Sequence, residues 1–437
     1  MQSRKRLQTL FILCLGIFIG VGITLERISQ AERGNGEVPI PYEQLQQFSE
    51  VYSTIKGKYV EEVSDKKLIE GAINGMLQKL DPHSAYLSRD MLREMQVETE
   101  GKFGGLGIEV TTEDGFIKVV APIEGTPAAK AGLESGDLIV RIDDEPTKGL
   151  TLMEAVKRMR GEPGTKIDLT VVREGFEKPR KFTITRDIIR IESVKSRMLT
   201  DHIGYVRISQ FQQDTGTKTR QAVNQLQEGA KGGLKGLVLD LRNNPGGVLS
   251  AAVETADAFV TDGKIVYTEG RVQSSDMTLR ANSDDVLADA PIVVLVNGGS
   301  ASASEIVAGA VQDHGRGIIM GTSTFGKGSV QSIMELEGGA GLKLTTARYF
   351  TPKGRSIQAE GIDPDILVRP LEVKKPENQA DRLTEKDLPG HLRGDGEDEQ
   401  GEQGEEGNMP SYLDDYQLNQ AVNLLRGITL VKGKQGS

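Results

Sequence analysis

The segment from residue 190 to residue 369 alternates apolar strand patterns with helical patterns, and this alternation limits the fold more than any other feature. The runs Gly236–Leu241 and Pro291–Val296 are almost continuously apolar, with a helical pattern before the first and another after the second. Strands of this kind are buried on both faces. The sequence therefore predicts an α/β core whose sheet is covered on both sides.

Composition shifts divide the rest of the chain. The predicted domains are a signal peptide or anchor (1–31), a helical region (32–100), a strand-rich unit (101–190), the α/β core (191–370), and an acidic linker with a C-terminal helix (371–437). The strand-rich unit spans about 90 residues, which is enough to fold alone.

The N-terminus has the pattern of an export signal. Arg4–Arg6 are basic, Leu10–Leu25 is apolar, and Ser29–Ala31 offers small residues for cleavage. The pattern favours a cleaved signal over a retained anchor and predicts a periplasmic or cell-envelope protein. Cys14 is the one cysteine, so a cysteine nucleophile, a thiolate metal site and a disulfide are excluded from the rest of the chain.

Charge narrows the range of partners. The formal net charge is −10 and no basic stripe is present, which argues against nucleic-acid binding. Residues 394–407 are acidic and glycine-rich, and a short amphipathic helix follows at Tyr412–Gly427. A detached apolar helix predicts docking to a second copy or to a partner, so we expect a homo-oligomer formed through the terminal helices.

A serine-rich turn follows the strand Pro291–Val296. Asn297–Ile306 contains Ser300, Ser302 and Ser304 among small residues, just before an apolar helix. Unpaired N–H groups at a helix N-terminus favour developing negative charge, so one of these hydroxyls could be a nucleophile. The alternative is that the serines only cap the helix. Spacing alone does not separate Ser302 from its neighbours.

A serine nucleophile needs a base, and lysine is a better candidate here than histidine. None of the four histidines lies in a triad motif. Lys327 follows an apolar strand pattern, and Gln331, four residues later, shares a face with it and could hold its amine. To act as a base near neutral pH, Lys327 needs a pKa that is lower than its usual value by roughly 3, and burial of the amine can cause such a decrease. The spacing of Gly321, Gly326 and Lys327 also fits a phosphate-binding loop.

An oxyanion hole requires backbone N–H groups with no side chain in the way. Asp240–Gly247 is a strand end followed by a Pro-Gly-Gly turn. The N–H group of Gly247, with that of Gly246 as a further candidate, could form an oxyanion hole together with the N–H group of Ala303.

Taken together, these motifs resemble the C-terminal processing peptidases (tail-specific proteases, family S41). The matching stretches, in family order, are Leu80–Tyr86, Gly104–Val110, Asp240–Gly247, Asn297–Ile306 and Thr324–Gln331. The resemblance implies a crotonase-like or ClpP-like core, with Ser302 as the nucleophile, Lys327 as the general base and Gln331 as its orienting partner. It implies no metal and no cofactor.

Residues 101–190 resemble a PDZ domain. The resemblance implies that the turn of Gly105, Leu106, Gly107 and Ile108 binds the terminal carboxylate of a peptide, which adds to the domain as an extra strand. Family members use this domain to select apolar C-termini and to gate the site. In Gram-negative envelopes they often work with a TPR-type adaptor lipoprotein and degrade cell-wall hydrolases, a context that the family supplies and these residues do not.

Two other hypotheses are compatible with parts of the sequence. One is a scaffold that only holds peptides, against which the intact Ser302, Lys327 and Gln331 argue. The other is an acyl-CoA enzyme of the crotonase type, which an export signal and a PDZ domain fit poorly.

Overall fold

The computed structural model describes residues 40–282, 284–371 and 413–435. The predicted export signal with Cys14, and the acidic stretch 394–407, lie outside the described residues. Within them, no helix combines the length and the apolarity that crossing a bilayer requires. The helices are α1 (Tyr42–Lys58), α2 (Asp65–Gln78), α3 (Arg89–Glu100), α4 (Pro127–Lys130), α5 (Leu152–Met159), α6 (Thr215–Gly229), α7 (Leu249–Asp257), α8 (Ala303–Asp313) and α9 (Tyr416–Gln435).

The strands are grouped in three larger sheets and one two-stranded ladder. They are β1 (Ala85–Leu87), β2 (Lys102–Gly105), β3 (Ile108–Glu113), β4 (Phe116–Pro122), β5 (Leu138–Ile142), β6 (Glu145–Pro146), β7 (Lys166–Val172), β8 (Arg180–Thr185), β9 (Asp187–Arg190), β10 (Val194–Thr200), β11 (Ile203–Ile208), β12 (Gly236–Asp240), β13 (Lys264–Gly270), β14 (Met277–Arg280), β15 (Ile292–Val296), β16 (Ile318–Gly321), β17 (Ser329–Glu335), β18 (Gly341–Phe350) and β19 (Ile366–Leu367).

Residues up to Gly75 and residues from Met76 form two compact units. In the first unit, α1 carries Leu45, Phe48 and Val51 as exposed apolar side chains, and Lys56 pairs with Asp65 at 2.7 Å. The helical N-terminal segment expected from the sequence is confirmed.

A six-stranded sheet of order β10-β11-β12-β15-β16-β19 forms the α/β core of the second unit. β10 is antiparallel to β11, and the other neighbours run parallel. Side chains alternate along each strand: Leu237 and Leu239 belong to the cluster formed with α6, α7 and α8, whereas Val238 belongs to the cluster formed with α9. The sheet covered on both faces is confirmed.

The C-terminal helix corrects one expectation. Its apolar residues Leu418, Ala421, Val422 and Leu425 are buried in the cluster that covers the second face of the core sheet of the same chain. The sequence pattern predicts docking of this helix to a second copy or to a partner. Instead, α9 supplies the cover that an apolar sheet face needs.

The strand-rich unit has a sheet of order β3-β4-β5-β7-β8, with β6 paired to β5. Its core includes Leu106, Ile117, Ile139 and Leu169. Within the described ranges β3 pairs only with β4, so its other edge is open. The ladder of β2 with β9 closes the unit where the chain enters and leaves it.

Candidate active site

Ser302 lies between the buried strand β15 and helix α8, at a backbone position that serine rarely adopts. Its φ is +54°, in a region that residues other than glycine mostly avoid, and such strain clusters at functional sites. The residue is 8% exposed. Helix α8 begins at Ala303, so the hydroxyl lies beside the N–H groups of a helix N-terminus.

The neighbouring serines have structural roles. The Ser300 hydroxyl donates to the Leu241 carbonyl oxygen at 2.8 Å, and the Ser304 hydroxyl donates to the Asn244 carbonyl oxygen at 2.9 Å. Both residues are fully buried. The Ser302 hydroxyl donates to no described group, which distinguishes it from the other two in a way that spacing could not.

Glu305 connects the serine turn to the lysine loop. It is fully buried. One carboxylate oxygen accepts from the Ser302 N–H at 2.7 Å and from the Lys327 N–H at 2.9 Å. The other accepts from the Thr324 hydroxyl and the Gly326 N–H, both at 2.6 Å. A single carboxylate therefore holds the backbones of Ser302 and Lys327 side by side.

Lys327 is half-buried, and its side-chain amine forms no hydrogen bond or ion pair within the described part of the chain. Burial lowers its pKa below the usual 10.5; the positive charge of Lys343 lowers it further, and the negative charge of Glu305 opposes both effects. A larger fraction of the amine is therefore neutral near neutral pH. Strand β17 follows Lys327 where a phosphate-binding loop would have a helix, so that alternative is wrong.

The glycine turn lies against the serine. A β-carbon on Gly246 would lie 2.9 Å from the Ser302 Cβ, so only glycine leaves enough room there. The Gly246 N–H donates to Asn244 Oδ1 at 2.9 Å and is therefore not available as an oxyanion donor. The N–H groups of Gly247 and Ala303 have no acceptor among the described residues, which leaves these two as the candidate donors.

Gln331 lies on β17, in the hairpin with β18. Its amide donates to the Ser329 hydroxyl at 2.9 Å and to the Thr345 hydroxyl at 3.3 Å. Among the described residues, no hydrogen bond joins it to the Lys327 amine. The structure thus fixes Gln331 beside the lysine loop without showing the contact that the resemblance implies.

The loop after α2 also lies beside the site, a position that the sequence pattern does not predict. The Asp81 carboxylate accepts from the N–H groups of His83 and Ser84, at 2.8 and 2.9 Å. The Ser84 hydroxyl in turn accepts from the Thr345 N–H at 3.2 Å. Burial and the positive charge of Lys327 lower the pKa of His83. The motif Leu80–Tyr86 marks this loop in the sequence, but nothing in the motif predicts that the loop lies close to Lys327.

In the strand-rich unit, the turn Gly105–Ile108 joins β2 to the open-edged strand β3. The Leu106 carbonyl accepts from the Ala128 N–H, and the Gly107 carbonyl accepts from the Ile123 N–H, both at 2.9 Å. Both carbonyls are thus turned into the domain. The N–H groups of Leu106 and Gly107 have no acceptor in the described ranges, as a carboxylate-binding turn requires.

Comparison with known proteins shows the family. Residues 202–368 match the model of peptidase family S41, residues 104–185 match the PDZ domain, and residues 22–91 match the N-terminal domain of the activating protease CtpB. A carboxy-terminal-processing protease of Bartonella bacilliformis is 47% identical over 414 residues, which cover 94% of each chain. The chain belongs to the carboxy-terminal processing peptidases.

Two further relatives have the same description. This peptidase is 33% identical to the carboxy-terminal processing protease CtpA of Bacillus subtilis over 87% of its own length and 81% of the relative. It is 39% identical to a carboxyl-terminal-processing protease of Synechocystis over 72% of its own length and 74% of the relative. The resemblance, the mixed α/β fold with a PDZ domain and the serine-protease class are confirmed, and the acyl-CoA hypothesis is set aside.

Proposed function

We propose that the peptidase is an exported endopeptidase in which Ser302 is the nucleophile and Lys327 the general base. One observation carries the assignment: a single oxygen of the buried Glu305 accepts from the N–H groups of both residues. The lowered pKa of Lys327, caused first by burial, supports its role as a base.

The arrangement can perform acyl transfer. The neutral Lys327 amine takes the hydroxyl proton as the Ser302 oxygen attacks the scissile carbonyl carbon. The negative charge that forms on the carbonyl oxygen is stabilised by the N–H groups of Gly247 and Ala303. The Lys327 ammonium then protonates the leaving amine, and water hydrolyses the ester by the same steps. Gln331 orients the lysine once substrate is bound.

The PDZ domain selects the substrate. An extended peptide adds to the open edge of β3, and its terminal carboxylate binds the N–H groups of Leu106 and Gly107. Beside this edge, Ile108, Val110 and Val156 are half-buried apolar side chains at the margin of the domain core. They favour a substrate with an apolar C-terminus.

The setting is the periplasm or cell envelope, and the basic and apolar N-terminal pattern supports a cleaved signal. Envelope proteins, including cell-wall hydrolases, are the proposed substrates, with a TPR-type adaptor lipoprotein as a proposed partner. Because α9 buries its apolar side chains within its own chain, the homo-oligomer we propose forms through α1, whose apolar residues Leu45, Phe48 and Val51 are exposed.

The test compares the native enzyme with Ser302→Ala and with Ser323→Ala, an exposed serine four residues before Lys327. Each is incubated with an unfolded protein ending in Ala-Ala or in Asp-Asp, and fragments are identified by mass spectrometry. We expect cleavage by the native and Ser323→Ala enzymes, faster with the apolar tail. Equal cleavage by Ser302→Ala would refute the assignment. Absence of cleavage by all three would favour the scaffold hypothesis.

A second variant tests the PDZ assignment separately. Gly107 has φ +77°, and a β-carbon there would lie 2.3 Å from the Thr126 Cβ, so Gly107→Ala distorts the turn. We expect it to remove the preference for the apolar tail while cleavage of the Asp-Asp protein continues. An unchanged preference would contradict binding at this turn.

A further inference from the structure

Arg242 follows β12 and begins the turn that leads to Gly246 and Gly247. It is 9% exposed. Its Nε and Nη2 donate to the two oxygens of Asp240 at 3.0 and 2.7 Å. Its Nη1 donates to Asp415 Oδ1 and Gln417 Oε1, both at 3.0 Å, and its Nη2 donates to Asp415 Oδ2 at 2.7 Å. These bonds use all five N–H donors of the guanidinium group.

Asp415 and Gln417 lie at the start of the C-terminal helix α9. The Asp415 carboxylate also accepts from the Leu418 N–H at 3.1 Å, which fixes the first turn of the helix. The Gln417 amide donates to the Val368 carbonyl oxygen at 2.7 Å. The N-terminus of α9 is therefore fastened to the core sheet at the end of β12, where the glycine turn begins.

The other side of the turn is bound to the nucleophile loop. Asn244 donates to the Ile208 carbonyl oxygen at 3.0 Å, and its own carbonyl oxygen accepts from the Ala301 N–H at 3.0 Å and from the Ser304 hydroxyl. The turn that carries Gly247 is thus supported on one side by the serine loop and on the other by Arg242. The second support depends on residues that lie more than 170 positions later in the sequence.

We propose that Asp415 and Gln417 are positioning residues for the oxyanion turn, which gives the N-terminus of helix α9 a role in shaping the active site. They act through Arg242 and touch no substrate. The proposal rests on the proposed function, because it assumes that Gly247 and Ala303 bind the oxyanion. It gives the C-terminal segment, which the family resemblance left without a function, a role in catalysis.

Arg242 and Asp415 stay charged in the neutral range, because their pairing raises the pKa of the guanidinium and lowers the pKa of the carboxylate. Burial alone would raise the pKa of Asp415, but the hydrogen bonds from Arg242 and from backbone N–H groups outweigh burial and hold it below its usual value. The buried Asp240 also accepts from the Tyr205 hydroxyl at 2.8 Å and from Arg207 at 3.1 Å. The charges that shift the pKa of Lys327 are those of Lys343 and Glu305. We therefore expect loss of the Asp415 carboxylate to change the position of the turn and to leave the pKa of Lys327 unchanged.

The experiment uses the full chain with Asp415→Ala, Gln417→Ala and the conservative Asp415→Asn. The matched control is Leu425→Ala, a fully buried residue of the same helix that packs against Gly236. All are assayed at a temperature at which circular dichroism shows each to be folded. The readouts are kcat, KM and the pH profile of kcat with a peptide substrate.

We expect Asp415→Ala to lower kcat about 10-fold, less than the loss of a whole oxyanion donor, with KM changed by less than about 2-fold because the oxyanion forms only after binding. The acid limb of the pH profile should stay in place. Gln417→Ala should lower kcat by about 3-fold and Asp415→Asn should retain part of the activity, since each keeps some of the acceptors for Arg242. Leu425→Ala should leave kcat within about 2-fold of the native value, since its effect falls on stability.

Equal kcat values for folded Asp415→Ala and Leu425→Ala would overturn the proposal and leave α9 a purely structural element. A shift of the acid limb would also overturn it, because the effect would then run through Lys327. Failure of the proposed function itself would appear differently, as continued cleavage by Ser302→Ala.

Discussion

Glu305→Gln is the substitution that most directly probes how the site is assembled. The carboxylate accepts four hydrogen bonds in a fully buried position, two on each oxygen. Glutamine has the same shape but replaces one oxygen with a donor. If its amide nitrogen faces the N–H groups of Ser302 and Lys327, both lose their acceptor. If it faces Thr324 and Gly326, the Gly326 N–H loses its acceptor, while the Thr324 hydroxyl can still accept.

The expected loss follows from these bonds. A hydrogen bond to a charged group contributes about 1.5–3 kcal/mol, so losing one or two of them lowers the free energy of unfolding by about 1.5–6 kcal/mol. The substitution also changes the pKa of Lys327. The Glu305 charge raises the pKa of Lys327, so its removal lowers that pKa and moves the acid limb of kcat/KM to lower pH. The maximal rate falls because Ser302 and Lys327 are no longer held together.

Urea unfolding at pH 7 and kcat/KM between pH 5 and 10 measure the two effects. Glu360→Gln is the control, because Glu360 is exposed and its change should stay within about 0.5 kcal/mol. Native stability in Glu305→Gln, or an acid limb moved to higher pH, would refute the role given to this carboxylate.

Other predictions follow from the same structure. Lys343→Gln removes a positive charge that lowers the pKa of Lys327, so the acid limb should move to higher pH and the rate at pH 7 should fall; an unmoved limb in the pH profile would contradict this. Gly247→Ala places a β-carbon 2.0 Å from a backbone carbonyl oxygen, and kcat should fall at least about 10-fold, whereas a native kcat would remove the turn from the oxyanion hole. Arg173→Ala leaves the fully buried Asp137 without its ion pair, which should destabilise the PDZ domain by about 3–5 kcal/mol. Calorimetry measures the loss of stability, and the cleavage assay should show loss of the preference for the apolar tail. An unchanged melting profile would count against this role of Arg173.

Much of the fold could be predicted because the pattern is local. The apolar runs Gly236–Leu241 and Pro291–Val296 identify strands buried on both faces, and the structure has both in the core sheet. The position of α9 could not be predicted this way. The amphipathic pattern of a helix predicts that its apolar face packs against another surface. Whether that surface is the sheet of the same chain or a partner depends on which sheet faces the other helices leave open.

The sequence predicts the residue types of the site better than the hydrogen bonds that join them. Ser302 could not be separated from Ser300 and Ser304 by spacing, because the distinction lies in carbonyl oxygens of the distant residues Leu241 and Asn244. Glu305 had a local signal, since Ser302 and Glu305 have the Ser-x-x-Glu spacing of a capping box. That signal explains its bond to Ser302 and gives no hint of its bonds to the lysine loop.

The roles of Ser302 and Lys327 are tested most directly by labelling the enzyme with a fluorophosphonate probe and mapping the modified peptide by mass spectrometry as a function of pH. We expect a single label on Ser302, formed at a rate that rises with pH as Lys327 loses its proton and that falls sharply in Lys327→Met. A label on Ser300 or Ser304, or undiminished labelling in Lys327→Met, would contradict these roles.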